Sequence, residues 1–91
     1  MTGIHTGVVR FQDLKRSLAA LELDLPDGEP HRTTYVVIGF NGSIDIGDEL
    51  IGNLDQPGAV DLFNRTRHDH VHATVLLAGA TRDDAVAYMQ S

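Results

Sequence analysis

Three of the chain's five histidines stand at alternate positions, His68, His70 and His72, in the segment RTRHDHVHATVLL spanning 65–77. Successive side chains of a β-strand point to opposite faces, so residues two apart share a face. His68, His70, His72 and Thr74 then point one way, and Asp69, Val71, Ala73 and Val75 the other. A His-x-His pair on a strand sets two imidazoles about 7 Å apart at the backbone, within reach of one metal ion. A third ligand from a neighbouring element, His5 or Asp61, would leave an open coordination position of the catalytic kind. The expected ligand set is therefore His70, His72, His5 and Asp61, with His68 and Thr74 beside it to contact a ligand. Zinc, nickel, manganese or iron would suit such a set. A metal held there could polarise a substrate oxygen or lower the pKa of a bound water. A face of His and Thr equally suits a solvated sheet surface or a wet subunit interface.

The histidines also enter a second pattern. His31-Arg32-Thr33 and His72-Ala73-Thr74 are both His-x-Thr at the start of a strand. Such a pair resembles the signature of the two-histidine phosphoesterases, in which one imidazole acts as general base and the other as general acid. This resemblance adds His31 to the candidate ligand-binding residues. Other features have plainer readings. Asp45, Asp48, Glu49 and Asp55 lie within eleven residues but lack the spacing of a calcium loop. The glycines at 39, 42 and 47 are followed by no Gly-Lys-Ser/Thr, so they do not form a phosphate-cradling loop.

The elements that must position these residues follow from periodicity. Ile4 to Phe11 is rich in β-branched and aromatic residues and reads as a strand. In QDLKRSLAALELDL, Leu14, Leu18, Leu21 and Leu25 recur at intervals of four, three and four. That spacing predicts a helix with Asp13 at its N-cap. Thr33 to Phe40 is a continuous apolar run, expected as a central strand covered on both faces. Asn41-Gly42 predicts a hairpin turn into Ser43–Ile46, with Ile44 and Ile46 facing one way. Leu50 and Ile51 either extend that strand or cover the core from a loop. Ala59–Phe63 is a short strand or a helical turn, and His70–Gly79 is a strand. Thr81 opens a final helix, with Asp83 and Asp84 at the positive end of its dipole.

The resulting order is β-α-β-β-(β)-β-α. The expected fold is α+β, one small domain with a mostly antiparallel sheet and two helices packed on one face. The other face must be wet or covered by a second copy.

Bulk properties restrict the function. At 91 residues the chain is a single domain with a modest core. It has no cysteine, which removes thiolate metal sites and cysteine nucleophiles and fits a cytoplasmic protein. Its net charge of −6 opposes nucleic-acid binding, and two Tyr, three Phe and no Trp offer little for base stacking. Its N-terminal segment lacks a signal-peptide pattern, and the longest apolar run is far short of a membrane span.

GIHTGVVRFQDLKRSLAAL, with His5, Asp13, Leu14, Arg16 and Ser17, resembles the opening of vicinal oxygen chelate domains, the glyoxalase and extradiol dioxygenase superfamily. HATVLLAGATRDDAVAYM is similar to the strand and helix that open the second module of such domains. The resemblance implies a truncated glyoxalase-like module completed by pairing with a second copy. It also implies ligands from the two module-opening strands, His5 and His72, and an acidic ligand near Asp61. Together these readings favour a small protein, expected as a homodimer, with a histidine-based divalent-metal or small-ligand site on a sheet face. They leave open whether it is an enzyme. The alternative is a non-catalytic module that binds another protein as an accessory, regulatory or immunity-type protein.

Overall fold

A computed structural model describes residues 4–24 and 33–90. Six strands and one helix follow in order: β1 (His5–Asp13), β2 (Leu18–Asp24), β3 (Thr33–Asn41), β4 (Glu49–Gly52), β5 (Gly58–Asn64), β6 (Asp69–Ala80) and α1 (Arg82–Gln90). The strands close into an antiparallel barrel in the ring order β1-β2-β3-β6-β5-β4, with β4 pairing back to β1. This overturns the expected α+β sheet with two helices packed on one face. Only one helix is present among the described residues, and the sheet has closed on itself. His31 lies outside the described residues, so the paired His-x-Thr reading falls there too.

The missing helix is β2. Its segment satisfies two periods at once. Leu14, Leu18 and Leu21 have helical spacing, but Ala19, Leu21 and Leu23 alternate, and these three are the residues that enter the barrel core. Ala20, between them, is also buried, against α1. A strand covered on both faces shows no polar alternation, so periodicity alone does not separate it from a helix. Tertiary packing then overrides the good helix propensities of Leu, Ala, Lys and Arg.

Asp13 caps a turn instead of a helix. Its Oδ1 accepts hydrogen bonds from the Lys15 N–H at 3.1 Å and the Arg16 N–H at 3.4 Å. Ser17 closes the turn with φ 54°. The hydrogen bond from the Arg16 side chain, above all, holds the Asp13 carboxyl below the usual range despite its partial desolvation. The β5–β6 turn repeats the device. Asn64 Oδ1 accepts from the Thr66 and Arg67 N–H groups at 3.0 and 3.1 Å, and His68 closes it with φ 55°.

Packing occurs in two layers. Val9, Leu21, Val36, Ile38, Leu50, Leu62, Val71 and Val75 fill the barrel interior. Ala20, Tyr35, Val37, Ala80, Ala85 and Met89 form a second cluster between the outer wall and α1, with Phe11 packed against it. A register shift between Val9 and Phe11 turns Phe11 outward, where its ring stacks on Tyr35. β3 is therefore buried on both faces, which accounts for its continuous apolar run. Helix α1 begins as its cap predicts, with Thr81 Oγ1 accepting the Asp84 N–H at 3.1 Å.

The expected Asn41-Gly42 hairpin does not form. β3 ends at Asn41 and pairs with β2 and β6, while 43–46 is a loop. Ile44 drops into the core, and Ile46 is exposed. That loop is tied down by a buried polar knot. Asp48 Oδ2 accepts from the Asp45 N–H at 3.0 Å, from Asn64 Nδ2 at 2.9 Å and from Arg67 Nε at 3.2 Å. Arg67 also pairs with Asp45. Burial pushes the Asp48 carboxyl up, but the bonds from Asn64, Asp45 and Arg67 outweigh it, and the group titrates below its ordinary value.

A carboxyl depressed in the fold stabilises it fully above its unfolded value of about 3.9, and that contribution is lost as pH falls through the lower folded value. Replacing Asp48 with Ala leaves the buried Asn64 amide without its acceptor, at about 1–3 kcal/mol. The expected outcome is a fall in Tm at neutral pH of at least about 4–8 °C. A flatter stability profile below about pH 4 should accompany it. Thermal melts between pH 2.5 and 7 check both; an unchanged Tm would mean that the knot does not hold the loop.

Candidate functional site

β6 runs with Val71, Ala73 and Val75 inside the barrel and His70, His72 and Thr74 outside. The alternation read from the sequence is therefore present over these residues. His68 is not on the strand; it is the left-handed residue of the β5–β6 turn. Cross-strand register decides what the outward side chains meet. On one side β5 places Asp61 opposite His72, Ala59 opposite Thr74 and Phe63 opposite His70. On the other, β3 places Asn41 opposite His72 and Gly39 opposite Thr74.

Small residues beside larger polar ones make a depression in the wall. Gly39, Asn41, Ala59, Asp61, His72 and Thr74 all line a groove of about 480 Å³. Within it, Asp61 Oδ1 lies 2.6 Å from His72 Nδ1. A carboxylate can only accept, so Nδ1 of the neutral imidazole carries the proton and Nε2 keeps its lone pair. Both partners are largely exposed, at 78% for His72 and 74% for Asp61. An ion pair so open to water adds little to stability. The pair is thus free to exchange partners without disturbing the barrel.

The other candidate ligands are placed elsewhere. His70 stands edge-on to Phe63, with ring centroids 5.4 Å apart, and His68 approaches the same ring at 6.4 Å. His5 sits on β1, opposite Gly52 of β4, with Nε2 3.9 Å from Asp55 Oδ2. β1 and β6 are not neighbours in the ring. The expected metal site of His70, His72, His5 and Asp61 is not assembled, and no group of three or more such side chains among the described residues could hold a metal ion. The physical reason is barrel closure. It carries His5 to a different part of the ring and leaves His72 to Asp61 and His70 to Phe63.

Asn41 and Phe63 are the site residues that the sequence reading missed. Asn41 looked like a turn residue, and Phe63 belonged to a segment of undecided structure. Their relevance comes from register, which spacing along one strand does not reveal. The strand-then-helix opening that resembled a vicinal oxygen chelate module is the β1–β2 hairpin. No helix among the described residues is long and apolar enough to cross a membrane. No family model, curated protein or solved structure matches the chain.

The Asp61 contact makes a specific claim about His72. Neutral His72 should hold its proton on Nδ1, and Asp61→Ala should return it to the Nε2–H form that free imidazoles favour. Long-range ¹H–¹⁵N correlation spectra of the histidine rings above pH 8 distinguish the two tautomers. An Nε2–H signature for His72 in the unmodified chain would remove the hydrogen bond from the site.

Proposed function

We propose that the chain is a non-catalytic recognition module, and that its β3–β6–β5 outer wall binds a cationic side chain of a protein partner. The observation that supports this reading is the Asp61-oriented imidazole of His72 in an open groove. The groove offers an exposed carboxylate and, on the imidazole bonded to it, an Nε2 that keeps its lone pair. An arginine or lysine head group carries several N–H donors that match them. Asn41 and Thr74 would add hydrogen-bonding groups at the rim, and Phe63, with His70 edge-on to it, an apolar shoulder. The net charge of −6 would draw basic partners toward the chain and speed encounter at low salt. A cytoplasmic setting is part of the proposal, because a chain free of cysteine suits a reducing compartment.

The test is an NMR titration with two acetylated, amidated pentapeptides, Ala-Arg-Ala-Lys-Ala and its Glu-for-Arg/Lys counterpart. The basic peptide should shift the amides of Asn41, Asp61, His72 and Thr74, and the acidic one should not. Asp61→Asn should weaken binding roughly tenfold, the loss expected for one charge-assisted hydrogen bond. Higher salt should weaken it further. Equal responses to both peptides, or shifts confined to other parts of the barrel, would refute the reading.

A further inference from the structure

A second concavity shares no lining residue with the histidine groove. It opens between the β1–β2 turn and α1, has a volume of about 770 Å³, and falls in the size range of small-molecule sites. Phe11, Leu14, Val86 and Met89 supply its apolar surface, and Lys15 and Arg82 stand at its border.

Charge bookkeeping singles this cleft out. Six of the seven Lys and Arg are among the described residues, Arg32 being the exception. Four are ion-paired: Arg10 with Glu22, Arg16 with Asp13, Arg65 with Glu49, and Arg67 with Asp45 and Asp48. The two left without a carboxylate partner among the described residues are Lys15 and Arg82, and both line this cleft. Asp13 and Asp83 also border it, but Asp13 is neutralised by Arg16. Lys15 and Arg82 against Asp83 leave one excess positive charge, in a chain of net charge −6. The Arg82 guanidinium is held in position over the Phe11 ring, 5.2 Å from its centroid.

A polar atom in the same wall has no partner. Gln12 lines the cleft, and its Oε1 is shielded from water and accepts no hydrogen bond among the described residues. A buried acceptor without a donor is costly, and rotation of the amide toward the cleft would let an N–H of a bound molecule satisfy it.

We infer that this cleft binds a small amphipathic carboxylate bearing an N–H close to its acid group, of the chemical class of the N-acyl amino acids. The apolar body lies over Phe11, Val86 and Met89. The carboxylate meets Arg82 and Lys15, and the amide N–H meets Gln12. The exposed Leu14 side chain, 69% accessible at the tip of the turn, gains cover from the bound body. The site is independent of the histidine groove and of the reading given to it.

Dansylglycine is a suitable probe, since it combines an aromatic body, a sulfonamide N–H and a carboxylate. Titrated with the full chain, it should give a saturable, blue-shifted rise in fluorescence. Dansylamide, which lacks the carboxylate, and dansylsarcosine, which lacks the N–H, should each bind at least about fivefold more weakly. Arg82→Gln should raise the Kd for dansylglycine roughly tenfold, as expected for loss of a hydrogen bond to a charged group. Arg82→Gln alters an exposed side chain, and its circular dichroism spectrum should match that of the unmodified chain. Absence of saturable binding would overturn the inference, as would equal affinity for dansylamide or no effect of Arg82→Gln. Equal affinity for dansylsarcosine would remove Gln12 and the N–H requirement. Sedimentation of the chain with phosphatidylglycerol vesicles, without dansylglycine binding, would make the cleft a membrane contact and overturn the small-molecule assignment.

Discussion

Closure of the sheet is the constraint on which everything else depends. A strand at the edge of an open sheet presents unpaired N–H and C=O groups, and a short chain has little material to cover them. Here β4 pairs with both β1 and β5, and the ring has no free edge strand. Closure also fixes which side chains are available for chemistry. Every strand has an inner and an outer face, and the inner one is committed to packing. Functional groups must come from the outer face or from the turns. Two short tight turns, capped alike by Asp13 and Asn64, allow the strands to meet in register. The knot on Asp48 then secures the loop that enters β4.

The register has a second consequence. β3 and β6 pair along most of their length, from Tyr35 opposite Ala80 to Asn41 opposite His72. At the first end their outer face lies under α1, and at the other it is bare. The change from covered to open wall coincides with register shifts near Val37. Such irregularities change which face a side chain occupies. One pair of strands therefore supports both the helix and the groove. The cleft beside α1 is lined from β1, the β1–β2 turn and the helix, and shares no residue with the Asp61–His72 groove.

Legibility in the sequence followed burial geometry. β6 alternates because one of its faces is wet, and the outward set His70, His72, Thr74 was readable from spacing alone. β3 was readable as a doubly covered strand because Val, Ile, Tyr and Phe favour strands as well as burial. β2 was not, because its covered residues are Leu and Ala, which favour helices. Asp13 deepened the error, since a side-chain oxygen that accepts two following N–H groups serves a helix N-cap and a tight turn alike. Ser43–Ile46 failed for a related reason. Ile44 is buried from a loop, and its alternation with Ile46 is not strand periodicity.

The site was half legible for a reason that reaches beyond this chain. Spacing along one strand identifies which residues share a face, but chemistry requires knowing what stands beside them on the next strand. Asp61 and His72 are eleven residues apart, and their contact is set by a four-residue turn and a matching register. A shift of one residue in that register would turn Asp61 inward and bring Leu62 out. The buried Leu62 and Val71, which pair with each other two strand positions' reach from the turn, make that shift expensive. The apolar interior therefore holds the polar groove in alignment. The exposed pair contributes little to stability in return, and that asymmetry leaves Asp61 and His72 available to a partner.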